Sequence, residues 1–408
     1  MTRDERLTEL AFSIAGHQAR IEQLGAKWGA VLIEKLDATE QKILNAITDF
    51  MKTNRGKSIK FSGLTALKRL EKKLIEIRKA AWENGYEELH TESIELGLNE
   101  EKWANRLTQE IFKTNTGKGG GGKYASKLLN ESQMNETVEK KLIGSRTFRE
   151  WFKRTSDADY GRIIDMVREG FVSGLTIPEM MKRIRGSKAG NYEDGIMQTS
   201  RRHAQTLART LCSGVANLAK NEFYMENDDV VMAVEWLDTL DGRTCVSCGG
   251  LSRMRWATNE AHPIPPLHPN CRCVLIPVTE LTDLGEDSHR PMANADFNAE
   301  AKRMYEAKYP GKKFSDLAAS TRKKYYYRAM REYERRTGKK AYDRAPGQMS
   351  FRDYFLQMSE EQKLDYLGKR KYELWKTGKY TVEDFIPPWP NRAMTVRELK
   401  MKDQESFI

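Results

Sequence analysis

The spacing of cysteine and histidine residues constrains this chain more than any other feature. Cys245 and Cys248 lie in "DGRTCVSC", and His268, Cys271 and Cys273 lie in "LHPNCRC" after a loop of about twenty residues. A C-x-x-C turn brings two sulfurs to one point, and two donors from the far end of the loop complete the tetrahedron that zinc prefers. The loop length resembles that of zinc modules. We predict a Zn²⁺ site of Cys245, Cys248, His268 and Cys271, with Cys273 as an alternative to Cys271.

Three interpretations of this cluster remain open from the residues alone. A structural zinc would hold together a small module, a disulfide would form after release into an oxidising medium, and a catalytic metal would keep an open position and a carboxylate base. Asp238, Asp241 and Glu260 are available as bases, but the sequence has no H-E-x-x-H helix. Four soft donors close the coordination shell, which favours structural zinc. His262 is a weaker ligand candidate because it lies in the stiff stretch "HPIPPLHP".

The composition favours cytoplasmic synthesis and no membrane partner. The 408 residues contain no run of 18 apolar residues, and the start "MTRDERLTEL" lacks the apolar segment of a secretory signal. In a reducing cytoplasm, clustered cysteines more often bind metal than form disulfides.

The hydrophobic pattern predicts a mostly α protein. Apolar residues recur at helical spacing from Trp28 to Phe50 and again from Leu67 to Ala81, which indicates a long N-terminal helical hairpin or bundle. The stretches "DVVMAVEW" (229–236) and "CVLIPV" (273–278) read as strands on either side of the cluster. We therefore expect a central small α+β module stapled by the Cys/His site, followed by a helical, basic C-terminal region.

The positive charge is concentrated near the C-terminal end. Residues 301–345 contain 15 Lys and Arg against 5 Asp and Glu, a difference of +10 beside +11 for the whole chain. Basic side chains neutralise phosphates and tyrosines can stack on bases, so we predict non-specific binding of double-stranded DNA. The alternative is a solvated helix whose Tyr326, Met330 and Tyr333 pack inward. The candidate nucleic-acid residues are Arg322, Lys323, Lys324, Tyr325, Arg328, Arg331, Arg335 and Arg336.

Three sequence stretches together resemble a known family. These are "RRHAQTLARTLCSGVANLAK", "EWLDTLDGRTCVSCGGLSR" and "IPPLHPNCRCVLIPV". They follow the order of an Ala-Arg-Thr helix, a strand, D-x-R-T-C-x-x-C and P-x-H-P-x-C-R-C. This pattern is similar to that of the phage Mu protein F-like family of head morphogenesis (minor head, minor capsid) proteins. The resemblance is specific over roughly residues 135–280.

The resemblance implies a structural protein of a tailed phage and not an enzyme. Such a protein would be assembled in the host cytoplasm, lie in the head interior near the portal protein, possibly contact coat or scaffold protein, and assist head assembly or the packaging and handling of DNA. The alternative is a metal-dependent hydrolase or nuclease carried in the virion. The predicted domains are a helical domain (1–113), a Gly-rich linker (114–126), the head morphogenesis domain (127–280), a basic Tyr-rich segment (281–348) and a helical tail (349–408).

Overall fold

A computed structural model of the chain describes residues 2–53, 61–115, 126–190, 192–279, 288–317 and 319–385. These residues are mostly helical and include small sheets, as predicted. Most of the Gly-rich segment 114–126, and the end of the tail beyond residue 385, lie outside the described residues. Within the described ranges, no helix is both long and apolar enough to cross a membrane.

The elements are numbered along the chain. The helices are α1 (Arg3–Asp37), α2 (Glu40–Thr53), α3 (Phe61–Asn115), α4 (Glu131–Lys140), α5 (Phe148–Val172), α6 (Ile177–Arg185), α7 (Ile196–Glu226), α8 (Val246–Gly249), α9 (Phe297–Lys308), α10 (Ala319–Thr337), α11 (Phe351–Gln357), α12 (Glu360–Leu367) and α13 (Lys369–Lys376), with 3₁₀ turns at Phe314–Asp316 and Glu383–Phe385. The strands are β1 (Ala233–Leu237), β2 (Arg255–Ala257), β3 (Val274–Val278), β4 (His289–Ala293) and β5 (Tyr342–Pro346).

The chain forms two compact units, each assembled from stretches that are distant in sequence. The sheet unit comprises Met1–Arg20, Leu98–Asn130 and Ala216–Ile408, and the helical unit comprises Ile21–Gly97 and Glu131–Val215. The domain boundaries expected from the sequence stay a prediction.

The helical unit buries the apolar stripes that the sequence predicts. Residues of α2 and of α3 pack in one core with α5 and α6, as in the buried set Ile47, Leu74, Ile163 and Met180. The α6 helix begins as expected, with Thr176 as N-cap in a capping box and a proline in its first turn. The N-terminal helices therefore contribute to a bundle.

A buried ion pair ties this bundle together. The Arg78 Nε donates to Asp159 Oδ2 at 2.7 Å, and the Trp82 indole donates to the same oxygen at 2.9 Å. Ser200 donates to the other carboxylate oxygen. Arg78 also donates to the carbonyl oxygen of Leu36 at 2.6 Å, so one guanidinium joins three parts of the unit. Burial raises the pKa of Asp159, but Arg78 and the two other donors outweigh it and hold that pKa below its usual value.

A three-stranded antiparallel sheet lies at the centre of the sheet unit. Its strand order is β2-β1-β3, with Ala233 opposite Val278 and Leu237 opposite Val274. The strands predicted at 229–236 and 273–278 are found as β1 and β3, whereas β2, inside the cysteine loop, was not predicted. Trp236 on β1 is fully buried against the four clustered cysteines.

A second antiparallel pair is formed by β4 and β5, which flank α9 and α10 in the chain. His289 faces Pro346 and Ala293 faces Tyr342, so residues far apart in sequence form one ribbon. Phe297 at the start of α9 is buried among Tyr326, Met330 and Tyr333 of α10. The inward packing of these three side chains, which is the alternative to DNA contact, is therefore present.

Candidate metal centre

The first two cysteines lie on a turn built by the residues directly before them. The Asp241 carboxylate accepts from the backbone N–H of Arg243 at 2.9 Å, and the Thr244 hydroxyl donates to the carbonyl oxygen of Thr239. Cys245 then caps α8, because its sulfur accepts from the Cys248 N–H at 3.4 Å. This geometry directs both thiols to the same side of the turn, as a C-x-x-C motif predicts.

The second pair of predicted ligands reaches the same point from the far end of the loop. The His268 Nε2 lies 3.2 Å from the sulfurs of both Cys245 and Cys248, and the sulfurs of Cys248 and Cys271 are 3.6 Å apart. The His268 Nδ1 donates to the carbonyl oxygen of Pro269 at 3.0 Å, which orients the ring so that Nε2 faces the sulfurs. The structure thus brings together the four residues that the sequence nominates.

Cys273 also belongs to the cluster. Two groups of donor atoms each lie within 4.8 Å of one another: Cys245, Cys248 and His268, and Cys248, Cys271 and Cys273. Cys248 is common to both groups. Although Cys273 directly precedes β3, its thiol is buried beside the others rather than turned away. The group can hold a metal ion, and the choice between Cys271 and Cys273 as fourth ligand stays a prediction.

The pKa values of the clustered side chains favour positive charge among the thiolates. A hydrogen bond from Cys248 and the neighbouring imidazole lower the pKa of Cys245 to about 4. Burial alone would lower the pKa of His268, but its hydrogen bonds with Cys245 and Cys271 raise it to about 11. The imidazolium therefore supplies positive charge among thiolates, and a metal ion that takes over this role would displace its proton.

The acidic residues nearest to the cluster are bound by arginines. Arg272 donates to both carboxylate oxygens of Asp241 at 2.7 Å. Arg290 contacts the backbone carbonyl and the carboxylate of Asp238, which also accepts from the Ser252 hydroxyl. These contacts join Asp241 and Oδ1 of Asp238 to the segments around the turn that carries Cys245 and Cys248 (residues 239–249), which we call the metal turn. Oδ2 of Asp238 is buried without a partner among the described residues.

Residues 349–385 cover the metal turn, a contact that sequence reasoning missed. We call them the C-terminal cover. The Phe351 N–H donates to the Ser252 hydroxyl at 2.9 Å, and the Phe351 ring lies directly against Gly249. Val246 of the metal turn packs in the same core as Phe351 and Tyr366. The only sequence signal was the absence of a side chain at Gly249, which leaves room for the ring.

The remaining cysteine and histidine candidates lie outside the cluster. His262 contacts the Asn221 side chain at 2.7 Å and the Glu260 carbonyl oxygen at 2.7 Å, and it stacks on Trp256. Cys212 is a buried residue of α7 in the helical unit, as its position on the apolar face of that helix suggests.

The predicted nucleic-acid residues lie on α10, with two different environments. Tyr325 packs edge-on against Tyr305 at 5.4 Å between ring centroids, and Arg322 is half-buried. Tyr327, which is 45% exposed, is the tyrosine of the "KKYYYR" stretch that faces solvent. The exposed basic side chains are Lys323, Lys324, Arg328, Arg331, Arg335 and Arg336.

Comparison with known proteins matches the region that contains this centre. Residues 162–276 match the family model described as phage Mu protein F like protein. No curated protein and no solved structure gives a significant match to the chain. The matched residues include α7, the three-stranded sheet up to Ile276 and the complete Cys/His cluster. The chain therefore contains a phage Mu protein F-like domain at residues 162–276.

Proposed function

We propose that this chain is a structural head morphogenesis protein of a tailed phage, a minor component of the virion that lies inside the head near the portal. The family match over residues 162–276 carries this proposal. Portal protein is the proposed main partner, with coat or scaffold protein as a further one. The Mu F-like domain is the part of the chain that would serve this assembly role.

The metal centre is proposed to be a structural zinc site. Thiolates and an imidazole are the donors that zinc takes in closed tetrahedral sites. The fourth ligand is Cys271, because it contacts both Cys248 and His268, whereas the neighbours of Cys273 are Cys248 and Cys271. A zinc ion bound by Cys245, Cys248, His268 and Cys271 would crosslink the ends of the loop that contains β2.

The competing function is a metal-dependent hydrolase or nuclease. Such an enzyme needs an open coordination position and a base, usually a carboxylate. Asp241 and Asp238 instead contact arginines. Glu260 is exposed and belongs to neither of the two groups of clustered donor atoms. The donor set and these contacts support a structural role over a catalytic one.

Assembly of heads tests the proposed function. In a phage that lacks this gene, the wild-type chain supplied in trans should restore DNA-filled heads and should co-purify with portal protein. The Cys248→Ser variant should restore few heads, whereas Cys212→Ser, which removes a buried thiol outside the cluster, should restore them normally. Normal heads without the chain, or a chain found only outside the particle, would refute the proposal.

Chelation separates the structural from the catalytic interpretation. We expect about one zinc per purified chain, and its removal should abolish the near-ultraviolet circular dichroism of the sheet unit, since folding energy comes from the metal. Cys248→Ser should lose the zinc and Cys212→Ser should keep it. A chelated chain that stays folded but no longer hydrolyses DNA or peptide would establish the enzyme instead.

We also propose that the exposed basic face of α10 contacts duplex DNA. Its arginines and lysines can neutralise backbone phosphates without reading sequence. Stacking on unpaired bases needs free aromatic faces. Tyr325, Tyr326 and Tyr333 pack against the protein's own Tyr305 and Phe297, which leaves Tyr327 as the exposed ring of the "KKYYYR" stretch. The packing therefore favours double-stranded over single-stranded DNA.

The salt dependence of binding tests this contact. Each lost phosphate contact should reduce the slope of log K against log salt by about 0.9, so Arg328→Gln with Arg331→Gln should reduce it by roughly 2. Lys369→Gln with Arg370→Gln removes two exposed charges from α13 and should change it less. Tighter binding to single strands, or equal slopes in both double variants, would contradict a duplex contact on α10.

A further inference from the structure

The C-terminal cover brings a phenol close to the metal turn. The ring of Tyr366 in α12 packs at a tilt against Phe351, with 5.4 Å between the ring centroids, and Phe351 in turn contacts Gly249, the residue after Cys248. Tyr366 and Val246, which lies between the two cysteines, pack against the same buried core. A residue more than ninety positions beyond the cluster thus belongs to its immediate surroundings.

The hydroxyl of Tyr366 is buried and lacks a hydrogen-bond partner among the described residues. Burial, and then the negative charges of Cys245 and Cys248, hold the pKa of Tyr366 well above its usual value. The hydroxyl therefore keeps its proton, and donating a hydrogen bond would stabilise it. Buried hydroxyls in folded proteins are almost always hydrogen-bonded, so this atom requires an explanation.

The negative charges that act on this hydroxyl belong to the cluster cysteines and to Asp238. Among the charged groups, Cys245 and Cys248 raise the pKa of Tyr366 most, followed by Asp238 and Cys273. A metal-bound thiolate keeps lone pairs that accept hydrogen bonds, and such outer contacts orient the ligand and tune its metal affinity. The other candidate acceptor is Oδ2 of Asp238, which is buried without a partner among the described residues, because Ser252 and Arg290 both contact Oδ1. The charge of Asp238 acts on the Tyr366 hydroxyl less strongly than the charges of Cys245 and Cys248.

We propose that Tyr366 is a positioning residue of the metal centre, whose hydroxyl donates a hydrogen bond to the bound thiolate of Cys245 or Cys248. This inference rests on the metal site proposed above. It makes the C-terminal cover part of the metal centre, because the cover supplies a donor that neither end of the cysteine loop provides. No bond other than this hydrogen bond forms, and the proton stays on the phenol oxygen.

Cobalt substitution tests the proposal with a readout at sulfur. Tyr366→Phe removes only the hydroxyl and should weaken Co²⁺ and Zn²⁺ binding by about 10- to 100-fold, the usual effect of losing an outer contact. It should also shift the sulfur-to-cobalt charge-transfer band, since the thiolate loses a hydrogen bond. Tyr372→Phe is the matched control, because its hydroxyl contacts the exposed Glu360 in the same cover. It should change neither quantity.

The other outcomes test the metal site and the role of Tyr366 separately. A wild-type chain that binds no metal would overturn the metal site itself. A wild-type chain that binds metal, with an unshifted band in Tyr366→Phe, would overturn only the role of Tyr366, even if affinity falls. If that variant does not fold, the wild type loaded with ¹¹³Cd provides the measurement. A solvent-protected Tyr366 hydroxyl proton coupled to cadmium is then expected, and its absence would refute the contact.

Discussion

Replacing Gly249 by alanine probes the contact between the metal turn and the C-terminal cover most directly. The φ angle of Gly249 lies outside the left-handed region, so alanine can adopt its backbone conformation. Restricting the unfolded chain in this way would by itself stabilise the fold by about 0.4–1 kcal/mol. The alanine Cβ would, however, lie 2.4 Å from Cδ1 and 2.8 Å from Cγ of Phe351. Both separations are far shorter than van der Waals contact.

The surroundings of Phe351 decide which effect is larger. Its ring is fully buried and lies 5.6 Å from Tyr354 and 5.4 Å from Tyr366, so it cannot turn aside without moving other rings. Overpacking of this kind costs about 1–3 kcal/mol, which exceeds the gain from the unfolded state. We expect Gly249→Ala to lower the free energy of unfolding by about 1–2 kcal/mol.

Urea denaturation of the zinc-loaded chain measures the effect, with Gly16→Ala as the matched control. Gly16 lies within α1 of the same unit and has no atom within 4 Å of its missing Cβ, so alanine there should stabilise by about 0.5–1 kcal/mol. Phe351→Leu should cost less in the Gly249→Ala background than in the wild type, because the smaller side chain relieves the clash. If Gly249→Ala stabilises as Gly16→Ala does, Phe351 does not press on the turn and the reasoning fails.

Two further predictions concern buried charges. Asp159→Asn should lower the free energy of unfolding by about 3–5 kcal/mol in urea denaturation, because it leaves the Arg78 charge buried without its partner, whereas Asp157→Asn, at an exposed pair with Lys153, should have no measurable effect. A loss at Asp159 no larger than at Asp157 would contradict this account. Burial raises the pKa of Glu101 from 4.5 to about 7, against the hydrogen bond from the Leu129 N–H. Between these values the folded protein holds a proton that the unfolded chain has lost, so stability should fall as pH rises through this window. Glu101→Gln should flatten that part of a pH series of unfolding curves, and an unchanged slope would show that another group titrates there.

The residues of the Cys/His cluster could be found from the sequence because the spacing that brings them together is local. A C-x-x-C turn fixes two sulfurs, and the rigid "LHPNCRC" stretch fixes the other pair, so spacing alone nominated Cys245, Cys248, His268 and Cys271. The position of Cys273 was harder to foresee. Alternation along a strand predicts the side on which a thiol lies only if the first residue of the strand is known, and β3 begins at Val274.

The contacts that complete the site depend on tertiary packing and left little trace in the sequence. β2 has three residues and lies in a stretch without strand periodicity. β4 and β5 pair across more than forty residues, for which a single sequence offers no register. The Phe351 ring reaches the metal turn only after the cover has folded onto it. The inward direction of Tyr326 and Tyr333 on α10, by contrast, follows from helical spacing and could be predicted from the sequence.

The assembly of the sheet unit from distant segments of the chain has a consequence for its synthesis on the ribosome. Its parts come from both ends of the described chain, as the hydrogen bond from the His289 N–H to the Thr8 hydroxyl illustrates. Translation therefore completes the segments of the helical unit, which end at Val215, long before it delivers Phe351 and Tyr366. A nascent chain would hold its cysteines with their thiols uncovered for the time needed to add about a hundred residues. During that interval, the supply of free zinc in the host would decide whether those thiols are captured by metal or by oxidants.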